Sequence, residues 1–148
     1  KYLLKQMKRI VLISCTKKKG PCKTQAQYLY TSPLFKYSLE YARILKPDKI
    51  FILSAKYGLL RLEEEIEPYD KTLNDMSDDE IKSWALKVLE KLKMECDLET
   101  DEIIFLAGEK YWKDIVCLGN IKNYRTPLEG KGIGERLQWL KQQISNYE

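Results

Sequence analysis

The sequence predicts an α/β fold, a single three-layer α/β/α domain around a mostly parallel central sheet. Two patterns lead to that expectation. Short, wholly apolar runs recur along the chain, as in strands covered on both faces. Between them lie segments with apolar residues at helical spacing, and strands that alternate with helices build a parallel sheet with helices on either side. At 148 residues, the chain suits one domain with a real core and is short for two.

The elements follow in order. Met7 reads as a start, which makes residues 1–7 an extension ahead of the first strand. Strand one is Lys8–Ser14, with Ile10, Val11, Leu12 and Ile13 in an unbroken run. Gly20-Pro21 breaks the chain. Ser32 with Pro33 marks a helix start, and Leu34, Phe35, Ser38, Leu39, Ala42 and Leu45 line one face up to Pro47-Asp48. Lys49–Ser54 is strand two. The passage AKYGLLRLEEEIEPYDKTLNDM, about 22 residues, reads as irregular, and long irregular stretches in compact domains are commonly functional. Ser77-Asp78-Asp79-Glu80 is a capping box that opens a helix with Ile81, Trp84, Ala85, Val88, Leu89 and Leu92 on one face. Glu102–Ala107 is strand three, Glu109–Leu118 a helix closed by Gly119, and Ile121–Arg125 a short fourth strand. A Gly-rich turn, Pro127–Gly134, leads into a last helix over Ile133–Ile144.

Composition narrows the chemistry. Hydrophobic residues make up 44% and charged residues 32%, a globular balance. No apolar run approaches the ~20 residues of a membrane span, and no signal-peptide pattern is present, so a cytoplasmic protein without membrane association is expected. Four cysteines (Cys15, Cys22, Cys96, Cys117) match no usual zinc spacing, and there is no histidine. No metal and no cofactor are therefore expected, and the GxxxxGK[ST] phosphate loop is absent. Histidine-based triads and dyads are excluded, which leaves proton transfer to Asp, Glu, Lys, Tyr, Cys or water.

Charge is segregated. The first 39 residues carry nine basic groups and no acid, whereas the remaining 109 carry 17 basic and 22 acidic groups. A positive pole of this kind favours a phosphate, nucleotide or nucleic-acid partner, although lysines also serve as plain solvated faces.

Open α/β sheets bind ligands beyond the carboxyl ends of their strands, and the unusual local sequences sit there. Strand one runs into Ser14-Cys15-Thr16-Lys17-Lys18-Lys19, strand two into Ser54-Ala55-Lys56-Tyr57-Gly58, strand three into Ala107-Gly108-Glu109-Lys110-Tyr111, and the fourth into Tyr124-Arg125. Cys15 is either a nucleophile beside lysines or a small buried hydrophobe. Tyr57 offers a stacking face, and Gly58 a backbone freedom other residues lack. Asp70, in Glu67-Pro68-Tyr69-Asp70, is either a general base or a turn aspartate. In the lysine run, Ser14 to Lys17 are expected to face the crevice and Lys18 and Lys19 the solvent.

The segments ISCTKKK, AQYLYTSPLFKYSLEYA, ILSAKYGLLRLEEEIEPYDKTL, FLAGEKYW and LEGKGIGERLQWL together resemble a domain family of unknown function related to the bacterial peroxide-stress protein YaaA. The resemblance spans roughly Lys8 to Lys141. Its most specific part is SAKYGLL followed by Ile66, Pro68, Tyr69 and Asp70. The SC-x-K-K start and Leu29-Tyr30-x-Ser32 are similar to the core domain of archaeosine synthase, a tRNA-modifying protein, although that pattern's histidine after the serine is absent and Phe35 stands nearby. The wider grouping implies a fold like that of uracil-DNA glycosylases. The resemblance implies nucleic-acid or nucleobase chemistry and, as site residues, Ser14, Cys15, Lys17, Tyr30, Ser32, Lys56, Tyr57, Gly58, Tyr69, Asp70, Gly108 and Tyr111. The expected protein is an enzyme acting on a nucleobase or nucleoside, free or in nucleic acid, with Cys15, Lys56 and Asp70 catalytic. The alternative is a non-catalytic nucleic-acid-binding or stress-response protein.

Overall fold

The computed structural model describes residues 6–148; of the expected extension over residues 1–7, the first five lie outside the described residues. The chain runs β1 (Arg9–Ser14), β2 (Thr24–Gln25), α1 (Ala26–Leu29), α2 (Pro33–Ile44), β3 (Lys49–Ser54), β4 (Gly58–Arg61) and β5 (Glu65–Ile66). A 3₁₀ turn at Leu73–Asp75 precedes α3 (Asp78–Glu95), β6 (Glu102–Leu106), α4 (Glu109–Gly119), β7 (Tyr124–Arg125) and α5 (Ile133–Tyr147).

Five strands form the central sheet in the order β4-β3-β1-β6-β7. All neighbours are parallel except β4, which runs antiparallel to β3. At the centre, Val11 lies between Ile50 of β3 and Ile104 of β6. Ile10 to Ile13 are at most 1% exposed, the result of an apolar strand with a helical layer over each face. Those layers are two packed pairs, α2 with α5 and α3 with α4.

Local sequence explains the helix boundaries. Ser32 Oγ accepts the Phe35 amide and Pro33 occupies the first turn of α2. Ser77 and Glu80 exchange bonds in a full capping box at the start of α3. The end of α4 differs from expectation: Asn120, at φ 50°, takes the left-handed closing position, and Gly119 is still helical. Gly119 is instead small because α3 crosses there; a Cβ on it would lie 2.6 Å from Leu89 Cδ2.

The larger correction concerns residues 55–76. Gly58, at φ 76°, reverses the chain so that β4 returns along β3, with Ser54 opposite Gly58 and Leu53 opposite Leu59. Then β5 pairs with β2 in a small second sheet. Strands of two to four residues are too short to show a period, so neither was legible in a passage crowded with acids.

Topology places the crevice. From β1 the chain crosses through α2 to β3 on one side; from β6 it crosses through α4 to β7 on the other. The direction of winding reverses between β1 and β6, the place at which open α/β sheets bind ligands beyond the carboxyl ends of their strands.

Candidate functional site

Cys15 is the first residue past β1, beside that switch point. Its amide donates to Leu53 O at 2.9 Å, which continues the sheet register by one residue and leaves the side chain 7% exposed. From beyond β6, the first turn of α4 brings Tyr111, whose hydroxyl lies 3.5 Å from Cys15 Sγ. Tyr111 also packs edge-on against Trp84 of α3, ring centroids 5.7 Å apart.

A chain of hydroxyls fills the space next to this pair. Ser54, the last residue of β3, accepts the Tyr57 and Lys56 amides at 3.0 and 3.3 Å. Its own proton therefore goes to Tyr69, at 2.8 Å. Tyr69 and Tyr30 share a bond of 2.6 Å between their hydroxyls. Trp84 secures the same corner by donating Nε1–H to Ser54 O at 2.8 Å. Tyr57 packs edge-on to Tyr69 at 5.6 Å.

Lysine 19 closes the arrangement. An antiparallel bridge between Lys19 and Tyr30 turns this side chain inward, contrary to the expectation from sequence. Its ammonium sits 4.3 Å from the Tyr69 ring centroid and 5.8 Å from that of Tyr30. It also donates to Lys17 O at 3.2 Å. Lys17 and Lys18 are exposed.

The electrostatics follow from burial. Tyr30, Tyr69 and Tyr111 are pushed well above the ordinary tyrosine value, first by desolvation and then by the neighbouring Cys15, so all three are neutral proton donors. Burial pulls the Lys19 ammonium below the ordinary lysine value, while negative charge on Cys15 or Asp70 works in the opposite direction. Around Cys15 the fold thus gathers neutral phenolic donors and one partly desolvated cation.

The other expected site residues are distributed less tightly. Asp70 is exposed and acts on the cluster through its charge on Lys19. Lys56 is exposed, with its ammonium 5.2 Å from the Tyr57 ring centroid. Ser14 ends β1 half-buried. Ser32 is occupied by its helix cap and by a 3.0 Å bond to Thr16, so it ties the β1 loop to α2. Gly108 precedes α4; a Cβ there would stand 3.2 Å from the Arg136 guanidinium.

Three of the four strand-end loops converge. The fourth does not, because Arg125 reaches back to Glu102 at the amino end of β6 and Tyr124 packs on Trp112. Sequence reasoning missed Lys19, Ser54 and Trp84 as members of the cluster. Ser54 carried a signal, being a polar residue at the end of an apolar strand; Lys19 carried none that set it apart from Lys17 and Lys18.

All four cysteines are free. Among the described residues no group of three or more His, Cys, Asp or Glu side chains could hold a metal ion, and no helix is long and apolar enough to cross a membrane. No curated protein matches the chain. Residues 10–142 match the family model described as "Family of unknown function (DUF6884)", so the chain belongs to that family.

Proposed function

We propose that this protein is an enzyme acting on a nucleobase or nucleoside, free or within nucleic acid, with Cys15 as its nucleophile. The observation behind this reading is the contact of Cys15 Sγ with Tyr111 inside a ring of neutral phenols and one inward lysine. A thiolate needs a positively polarised setting to form, and a base ring that accepts negative charge during attack needs donors already in place. Tyr111 and Tyr69 supply such donors, and Lys19 supplies the countercharge. Tyr57, half-buried at the rim, is the wall for the ring; Lys56 and Lys17 are the exposed cations for phosphate. Asp70, exposed beside the cluster, is the group that orients water or takes a proton. The resemblance of ISCTKKK and SAKYGLL to the YaaA-related and archaeosine synthase domains supports the same class of substrate.

The test is turnover on a panel of nucleosides, nucleotides and short RNA and DNA strands, with products identified by mass spectrometry. Cys15→Ala should abolish conversion, and Asp70→Asn and Tyr111→Phe should reduce it about 100-fold, the lower end of what one proton-transfer group contributes. Conversion that survives Cys15→Ala would exclude the mechanism. A second reading, non-catalytic nucleic-acid binding, is favoured by the acid-free first 39 residues. It predicts no turnover, with affinity falling on a log–log salt slope of about −0.7 per phosphate contacted on a single strand.

A further inference from the structure

A cavity of about 530 Å³ lies against the outer side of Tyr57 and Trp84, between α3 and the chain on either side of β4 and β5. Four lysines line it: Lys56 and Lys71 from the loops, and Lys87 and Lys91 one turn apart on α3. Among the described residues none of the four forms an ion pair, and all four are exposed. Two acids share the lining, Glu80 and Glu90. Glu80 is committed to the capping box, where its carboxylate accepts the Ser77 amide at 2.9 Å. The wall shared with the Cys15 cluster is aromatic: Tyr57 touches Tyr69, and Trp84 touches Tyr111.

We propose that this groove holds the sugar–phosphate backbone of a single nucleic-acid strand, so that the base presented to Cys15 is carried in a polynucleotide. Proteins that hold single strands combine a cationic groove with aromatic faces on which bases stack. Here Lys87 and Lys91 stand about 6 Å apart along the α3 axis as successive countercharges, and Tyr57 is the aromatic face between groove and site. A duplex would first have to extrude a base, at a cost of a few kcal/mol, to set it against Tyr57, and a single strand pays no such cost. The statement about the substrate rests on the function proposed above; the groove and its ligand do not.

The experiment is fluorescence anisotropy with a labelled oligothymidylate, measured across salt concentrations, with the matching duplex and thymidine monophosphate as competitors. Lys87→Gln/Lys91→Gln should weaken strand binding about tenfold and lower the salt slope by about 1.4, two single-strand contacts. Lys93→Gln/Lys122→Gln, which removes the same charge from exposed positions outside the groove, should change neither. Equal weakening by both pairs, or displacement by duplex or monophosphate as readily as by strand, overturns the groove. If the lysine pairs separate as expected but no base is altered in the turnover panel, the groove stands and the reading of Cys15 falls. If free nucleosides turn over and the lysine pairs do not separate, the reading of Cys15 stands and the groove falls.

Discussion

The two edges of the central sheet solve the same problem in opposite ways. Each must place polar groups beside a dry core. At the amino edge the solution is charge pairing. Glu102, 7% exposed, takes Arg9 and Arg125; Glu95 takes Lys49 and Arg61; and Asp101, 1% exposed, accepts the Lys8 and Asp97 amides. At the carboxyl edge the solution is neutral hydroxyls bonded to one another, next to a thiol and an inward lysine. A depression of about 590 Å³ opens at the amino edge and includes Asp101 and Glu95 in its lining. It is about as large as the lysine groove, yet these carboxylates already serve the fold. Cavity size alone is therefore a poor guide to where chemistry occurs; what matters is which polar groups the fold leaves uncommitted.

The hydroxyl network of the carboxyl edge depends most on Tyr69. Tyr69→Phe leaves the Tyr30 hydroxyl and the Ser54 proton without their partner, and a buried unsatisfied group costs roughly 1–3 kcal/mol. Urea denaturation should show a loss of about 2 kcal/mol. A neutral result would mean that the hydroxyl chain exchanges readily with water and that the carboxyl edge is more open than its geometry indicates.

The next effect concerns access. Cys22 and Cys117 are exposed, whereas Cys15 is buried. In single-cysteine variants, iodoacetamide should modify Cys15 at least about tenfold more slowly than Cys22, because attack requires the thiolate to meet reagent. Cys96, whose thiol burial pushes up to about 11, should be slow for that different reason and should accelerate at alkaline pH. Equal rates for Cys15 and Cys22 would remove the premise that the sulfur is sheltered.

A smaller effect is expected from Glu102→Gln. Its partners Arg9 and Arg125 are 40% and 61% exposed, so solvent screens the pairs and the loss should be about 1 kcal/mol or less. Base turnover and strand binding should not change. A functional defect would show that the amino edge is coupled to the site after all.

The subtlest difference lies in the pH dependence of stability. Burial pulls Glu102 up, but its two arginines outweigh this and hold it below the usual carboxylate range; Glu95 is held down by Lys49 and Arg61. Their stabilisation is present above the unfolded carboxylate pKa, about 4.3, and is lost as pH falls through the depressed folded values. The buried phenols behave in the opposite sense. Their stabilisation is complete below the unfolded tyrosine pKa, about 10, and is lost as pH rises toward the folded values. Lys19, pulled down by burial, opposes the phenols, since stability from it rises with pH between its folded and unfolded values. Glu102→Gln should therefore flatten the acid limb alone and Tyr111→Phe the alkaline limb alone. Each variant flattening the other limb would overturn the division.

Much of the framework was legible because it rests on local patterns. Lys49–Ser54 was read with its observed bounds, and the boundaries of α2 and α3 followed from Ser32-Pro33 and the Ser77–Glu80 box. Residues 55–76 were not, since β4 is specified by its pairing with β3 and not by its own four residues. The same division runs through the site. Cys15, Tyr57, Tyr69 and Tyr111 stood out by type and position, whereas Lys19, Ser54 and Trp84 acquired their roles from neighbours 11, 15 and 30 residues or more along the chain.

The alternation of strands and helices, the parallel core and the exclusion of histidine chemistry are written in local sequence, because hydrophobic periodicity and residue types are local quantities. Long-range packing sets which of three consecutive lysines turns inward, places Arg125 at the amino edge, and gathers three tyrosines around one thiol. Those outcomes depend on register and crossing positions between distant segments, and burial there changes the protonation behaviour of groups whose sequence context is unremarked.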